Sequence, residues 1–225
     1  MGGSDDSAMS AASRFTLHLV IGLLVIFGST LLFAEIAWRT ASTQPLALID
    51  RQITDWFHEH ATTPLTVLAL FVSFFGSVRL LAFATLFACW LLWRREMWNR
   101  LLLFACAMLG ESALNIALKH AFHRQRPALE NPLVTLTSYG FPSGHTMGAT
   151  VFYGLAALVL VGIAKRWRIH TFAAAIFAIA AIGLSRIYLG AHYTSDVLGA
   201  FVAGAAWLTF CWTGLVTLRR RSVFD

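Results

Sequence analysis

Six long apolar runs constrain the fold of this chain more than any other feature, because each can cross a bilayer as a helix. A transmembrane helix needs about 20 consecutive, predominantly apolar residues. The runs that qualify are residues 15–38, 76–93, 99–118, 146–164, 171–189 and 194–218. Only 12% of the 225 residues are charged, whereas soluble domains contain about 25%. The sequence therefore predicts an all-α, polytopic membrane protein with six transmembrane helices.

The residues outside these runs do not predict a second domain. Residues 1–13 are polar and precede the first run, so we expect a disordered N-terminal tail followed by one membrane domain over 14–225. The first run is longer than the apolar core of a signal peptide, which has about 7–15 residues, so it is predicted to be a retained span.

An interfacial helical segment is predicted between the first two runs. Apolar residues recur there at helical spacing, with charged residues between them: Leu46, Ile49, Ile53, Trp56 and Phe57. Such an amphipathic helix either lies in the outer interface or packs against the helical bundle, and both interpretations fit the pattern.

The start of the second span is ambiguous in the sequence. Residues 65–75 are apolar but too short to cross alone, and Gly76-Ser77 breaks them from the run that follows. We expect the span to begin at this break, with Arg79 snorkelling to the outer headgroups. One tilted helix over 65–93, which would bury Arg79 more deeply, is the alternative.

The cations follow the positive-inside rule. Ten of the 17 Lys and Arg residues flank the runs on the side of the N-terminus, namely Arg14, Arg94, Arg95, Arg100, Lys165, Arg166, Arg168, Arg219, Arg220 and Arg221. This bias places the basic side of the protein in the cytoplasm. Since no basic face remains to follow a phosphate backbone, nucleic acid is not an expected partner.

Three short motifs carry the candidate chemistry, and each lies at the edge of an apolar run. They are KHAFHRQRP over 119–127, PSGH over 142–145 and SRIYLGAHYTSD over 185–196. Ionisable residues beside lipid are costly and are therefore functional candidates. The six-span topology places all three motifs on the side opposite the basic loops, so we expect one site at the outer face.

The residue types in these motifs suit phosphoryl transfer. Fixed cations neutralise phosphate oxygens, and arginine does so with two parallel hydrogen bonds. Ser143 and Gly144 open a helix whose free N–H groups favour an anion, and His145 follows them. His192 and Asp196 are four residues apart, so on a helix the carboxylate can hold Nδ1 of the imidazole and leave Nε2 as a nucleophile.

Together, the pattern K-x6-RP, PSGH and SR-x5-H-x3-D resembles the type 2 phosphatidic acid phosphatase superfamily, and the short 128–141 loop is similar to its bacterial membrane branch. The resemblance implies that His192 attacks phosphorus and forms a phosphohistidine, that Asp196 orients it, and that His145 acts first as an acid and then as a base. It also implies a set of residues that hold the phosphoryl oxygens: Lys119, Arg126, Ser143, Gly144 and Arg186.

The resemblance therefore implies a multi-pass lipid phosphatase of the bacterial cytoplasmic (inner) membrane that acts on a lipid phosphate or diphosphate. Bacterial relatives act on undecaprenyl diphosphate, which we take as the first candidate, or on phosphatidylglycerophosphate; broad phosphatidic acid phosphatase activity is a further alternative. Neither a cofactor nor a metal is expected, because the His and carboxylate residues lack a clustered ligand spacing and the cations supply the charge. A phospholipid or anion transporter and a vanadate-dependent oxidase are the alternatives from other classes.

One further polar face is less specific. Glu111, Asn115 and Lys119 are spaced four residues apart on the third run. Either Glu111 supports Lys119 through Asn115, or it is a protonated carboxyl that serves only in packing.

Overall fold

The computed structural model describes the backbone of residues 3–40, 45–130 and 132–221. These residues form α1 (Gly3–Arg39), α2 (Pro45–Glu59), α3 (Thr63–Phe74), α4 (Val78–Arg94), α5 (Trp98–Phe122), α6 (Gly144–Ile163), α7 (Arg168–Tyr188) and α8 (Thr194–Arg221), with a 3-10 turn before α7. Six stretches are long and apolar enough to cross a membrane. The predicted all-α fold with six spans is confirmed.

The exterior of the bundle is apolar and part of its interior is polar, which is the arrangement expected where lipid is the solvent. On α1, Leu23, Leu24 and Phe27 are more than 60% exposed. On α5, by contrast, Glu111 and Asn115 are buried against neighbouring helices. This distribution supports the membrane interpretation independently of helix length.

The second span differs from the prediction. Helices α3 and α4 together form one 32-residue candidate span, Thr63–Arg94, so the span begins well before residue 76 and is not a single straight helix. The predicted break is present, and Ser77 caps α4 by accepting a backbone N–H. A Cβ on Gly76 would lie 2.5 Å from Ile182 and 3.3 Å from the carbonyl oxygen of His145, so only glycine fits the break. The break therefore lies beside the second motif.

Helix α1 begins earlier than the composition suggests. Residues 1–13 are predicted to form a disordered tail, but the backbone is helical from Gly3 onward; residues 1 and 2 lie outside the described part. Once a span has nucleated a helix, extension costs little per residue, so polar composition alone does not end it.

Helix α2 turns polar residues towards the bundle. Its buried residues are Ala47, Asp50 and Thr54, whereas Ile49 and Trp56 are 49% and 55% exposed. The helix predicted between the first two spans is present and packs against the bundle through Asp50 and Thr54, while Leu46, Ile53 and Phe57 are half-buried. Asp50 is buried because Arg124 and Ser195 bind its carboxylate, as described below.

Four helix ends meet at one end of the bundle. These are the C-terminal ends of α5 and α7 and the N-terminal ends of α6 and α8, which carry the three motifs. The basic loops after α4 and α6 lie at the opposite end, as the alternation of spans requires.

Candidate active site

A tight turn after α7 delivers His192 to the site. Gly190 has a φ of 65°, a left-handed conformation that favours glycine. Beyond it, the amides of Ala191 and His192 both donate to the carbonyl oxygen of Arg186, at 3.1 and 3.3 Å. The turn therefore folds back on the end of α7 and places His192 next to an arginine of the same motif.

His192 is buried between a carboxylate and a guanidinium. Its Nδ1 lies 3.4 Å from Oδ2 of Asp196, an ion-pair distance longer than a good hydrogen bond. Its Nε2 lies 3.1 Å from Nη1 of Arg126. Because arginine can only donate, Nε2 is the acceptor and the ring proton is on Nδ1, facing Asp196. This is the tautomer that leaves a lone pair on Nε2.

Burial lowers the pKa of His192 to about 4. The nearby carboxylate of Asp196 raises this pKa, while the positive charges of Arg126 and Arg186 lower it further. The imidazole is therefore neutral at neutral pH, because burial and two cations outweigh one carboxylate.

Two of the predicted cations are fixed by backbone carbonyls of neighbouring loops. Arg126 donates to the carbonyl oxygens of Ser138 and Ala191, both at 2.6 Å, and to the Ser138 hydroxyl at 2.9 Å. Lys119 donates to the carbonyl oxygen of Tyr139 at 2.5 Å. Burial lowers the pKa of Arg126, and Asp196 partly offsets this effect. The loop after α5 thus holds both charges, with Arg126 beside His192 and Lys119 within electrostatic range of Arg126 and Asp196.

The third cation, Arg186, is only 4% exposed. Its Nη1 donates to the hydroxyl of Ser73 on α3 at 2.7 Å, and its buried Nε has no partner among the described residues. A buried donor without an acceptor is costly, so this N–H is suited to an anionic ligand. His145 lies within electrostatic range of the other motif residues, Lys119, Arg126, Arg186 and His192.

Ser143 forms the predicted cap of α6. Its hydroxyl accepts hydrogen bonds from the amide and hydroxyl of Thr146, at 3.5 and 3.1 Å, and its own amide donates to the carbonyl oxygen of Asp196 at 3.1 Å. The second and third motifs are thereby joined through the backbone. Gly144 follows at the first turn, where a Cβ would lie 3.1 Å from Oδ1 of Asn115.

Four residues at the site were not predicted as part of it: Asp50, Ser73, Arg124 and Ser195. Arg124 donates to Asp196, to the Ser195 hydroxyl at 2.7 Å and to Asp50 at 2.8 Å. Arg124 lies inside the first motif, where its spacing resembles that of a membrane-boundary anchor. Asp50 is 74 residues earlier, and its sequence neighbourhood contains no signal for this pairing.

The first of the two interpretations of the polar face on α5, that Glu111 supports Lys119 through Asn115, does not fit the observed contacts. Glu111 accepts from its neighbour Ser112 at 3.3 Å, and the Asn115 amide donates to the sulfur of Met147 at 3.4 Å. No hydrogen bond links this face to Lys119 in the described part of the chain. The same part contains no group of three His, Cys, Asp or Glu residues placed to hold a metal ion.

Fold and site together define a multi-pass, all-helical membrane protein whose buried His-Asp pair is surrounded by cations. The family model of the PAP2 superfamily matches residues 100–220, more than half of the chain and all three motifs. The chain belongs to the PAP2 superfamily, which confirms the resemblance inferred from the motifs.

Two curated relatives carry phosphatase names. Phosphatidylglycerophosphatase B of Bacillus subtilis (strain 168) is 37% identical over 115 residues, 49% of this chain and 55% of the relative. Lipid A 1-phosphatase of Rhizobium johnstonii is 35% identical over 77 residues, 34% of this chain and 26% of the relative. The matches therefore span about half or less of these relatives' lengths.

Two solved structures share the fold. The crystal structure of a transmembrane PAP2 type phosphatidylglycerolphosphate phosphatase from Bacillus subtilis has a TM-score of 0.75 and 27% identity, covering 83% of this chain and 94% of that one. LpxE of Aquifex aeolicus has a TM-score of 0.58 and 24% identity, covering 72% and 93%, and supports the fold alone.

Proposed function

We propose that this protein is a metal-independent lipid phosphatase that removes a terminal phosphate through a phosphohistidine on His192. The observation that carries the proposal is the orientation of that imidazole, with Nδ1 towards Asp196 and Nε2 towards Arg126. The phosphatase names of the two curated relatives support the same reaction class. Release of inorganic phosphate from a lipid phosphate by the purified protein is the primary test.

In the first half of the reaction, Nε2 of His192 attacks phosphorus as the bond to the leaving oxygen breaks, and His145 gives its proton to that oxygen. The negative charge of the bound phosphate favours the protonated form of His145 beforehand. In the second half, His145 takes a proton from water, the water oxygen attacks phosphorus, and the phosphorus–nitrogen bond breaks. Asp196 stabilises the imidazole in both halves.

The cations stabilise the charge on the transferring phosphoryl group. Lys119, Arg126 and Arg186 come from three segments of the chain and all lie within electrostatic range of His145, and the free N–H of Arg186 offers a further donor. Arg126 contacts Nε2, so we propose that it transfers this hydrogen bond to a phosphoryl oxygen as the nucleophile is used. The first turn of α6, with Gly144, supplies backbone N–H groups. Phosphoryl transfer depends mainly on such positioning and charge stabilisation.

A groove of about 310 Å³ between α4, α5 and α6 suits the chain of a lipid substrate. Its lining includes Leu86 and Leu109, which are more than 70% exposed on the bundle surface, and it reaches Gly144 beside the site. A lipid can enter here sideways with its chain in the bilayer, whereas a soluble phosphate ester gains nothing from the groove. The relatives' names add phosphatidylglycerophosphate to undecaprenyl diphosphate as a leading candidate.

A substrate comparison tests the lipid requirement. We expect kcat/KM for the best lipid to exceed that for p-nitrophenyl phosphate by at least about tenfold, because binding of the remote chain contributes to transition-state stabilisation. The lipids to compare in one detergent are a C15 or longer prenyl diphosphate, phosphatidylglycerophosphate and phosphatidic acid. Equal values for the soluble ester and the best lipid would reject the lipid-phosphatase proposal. A clear advantage for phosphatidylglycerophosphate would reject only the prenyl preference.

We further propose that the site faces outward from the cytoplasmic membrane, since the basic loops lie at the other end of the bundle. In a variant with Cys89, Cys106 and Cys211 replaced by alanine, Thr135→Cys should react with an impermeant thiol reagent in intact cells. Trp167→Cys should react only after permeabilisation. Both positions are exposed, so accessibility within the protein does not limit labelling. The reverse pattern would place the site in the cytoplasm.

A further inference from the structure

We infer that Asp50 and Arg124 are positioning residues of the reaction, and that α2 orients the carboxylate of Asp196 through them. The inference rests on the proposed function, because it assigns a role to residues that support His192. Arg124 lies between two buried carboxylates, Asp50 and Asp196, which are both 0% exposed.

The two oxygens of Asp196 have separate partners. Arg124 donates to Oδ1. Oδ2 accepts the amide of Tyr193 at 2.9 Å and faces Nδ1 of His192. Since Arg124 occupies one oxygen, it determines which oxygen faces the imidazole. The guanidinium also lies over the Tyr193 ring, 4.7 Å from its centre, which fixes its plane.

Asp50 fixes the other side of this arrangement. One of its oxygens accepts the amide of Ser195 at 3.0 Å, and the other accepts both the Ser195 hydroxyl and Arg124. Asp50 thus binds the first turn of α8 at the residue before Asp196. A carboxylate on α2 therefore determines both the direction of Arg124 and the position of the helix that carries Asp196.

The charges predict opposite effects on His192. Each segment around the site contributes a charged or titratable group. These groups are Asp50 on α2, Lys119 on α5, Arg124 and Arg126 in the loop, His145 on α6, Arg186 on α7 and Asp196 on α8. Loss of the Arg124 charge leaves Asp196 freer to attract a proton to His192, so the imidazole protonates at higher pH. Loss of the Asp50 charge leaves Arg124 less compensated, so protonation requires lower pH.

The experiment uses the full-length protein in detergent, with phosphatidic acid as the probe substrate and phosphate release as the readout. The variants are Asp50→Asn, Arg124→Gln and their combination, and the matched control is Asp55→Asn, an exposed carboxyl on the same helix. We expect kcat to fall by about a hundredfold in either single variant, as misplacement of a catalytic group by about 1 Å can produce, with little change in KM. The control should retain wild-type activity.

The acid limb of kcat/KM distinguishes positioning from general structural support. It should move to higher pH in Arg124→Gln and to lower pH in Asp50→Asn. The ionisation of the substrate affects every variant equally, so it cannot produce opposite shifts. The double variant should lose less than the product of the single losses, because the two residues act through one contact. Wild-type kcat in both single variants, or acid limbs that do not move apart, would overturn the inference.

Variants that keep the charge allow the inference to be tested even if the neutral variants fail to fold. Arg124→Lys and Asp50→Glu retain the charge but alter the geometry, so kcat should fall while the acid limb stays near the wild-type pH. If these variants also matched the wild type in kcat, the inference would be rejected even if the neutral variants aggregated. A wild-type protein that released no phosphate from any lipid would instead reject the proposed function, and this inference with it.

Discussion

Replacing His192 with alanine removes the proposed nucleophile, and we expect kcat to fall on the order of 10⁴-fold or more. Among the described side chains, only His192 has one ring nitrogen that faces a cation, Arg126, and a second ring nitrogen that faces a carboxylate, Asp196. Brief incubation with a ³²P-labelled lipid phosphate should label the wild type through an acid-labile bond and leave His192→Ala unlabelled. His170→Ala, an exposed histidine at the opposite end of the bundle, is the control and should be unaffected. Substantial turnover by pure His192→Ala would reject the mechanism.

The second large effect is expected at His145, which acts in both halves of the proposed reaction, first as an acid and then as a base. His145→Ala should lower kcat for lipid phosphates by about 10²–10⁴-fold, the usual contribution of a general acid or base. With p-nitrophenyl phosphate, whose leaving group needs no proton, the first half of the reaction should still proceed. We then expect a burst of about one p-nitrophenolate per active site and a long-lived phosphoenzyme, because no base activates the water. Measurement of the burst together with ³²P labelling separates the two halves, and equal slowing without any burst would contradict this role.

The sequence predicted which motifs meet at the candidate site because local patterns and the alternation of spans encode their positions. PSGH and H-x3-D each occupy a few consecutive residues, and alternation of the spans brings both to the same end of the bundle. The cap by Ser143 follows from local backbone geometry. By contrast, the contact of Ser73 with Arg186 joins residues separated by 113 positions, and helix periodicity carries no information about such a pair.

The errors in the fold also have physical causes. The sequence predicts that the second span begins at Gly76, because residues 65–75 are too short to cross a bilayer alone and Gly76-Ser77 interrupts the apolar run. The structure continues the span through this break, where Ile182 and the carbonyl oxygen of His145 exclude a side chain. For α2, the apolar spacing left open whether the helix lies in the interface or packs against the bundle. The structure packs it against the bundle through buried Asp50, which pairs with Arg124 because an unpaired buried charge costs several kcal/mol.

The first 99 residues lie outside the segment that matches the family, yet they supply Asp50 and Ser73 to the site. The reactive groups and part of the frame that braces them therefore lie on different stretches of the chain. Substitutions in the frame can change the geometry around Arg124 and Arg186 while every motif residue stays the same. A chimera that joins the C-terminal half of this protein to the N-terminal half of a relative would carry the motif residues but need to recreate the contacts to Arg124 and Arg186.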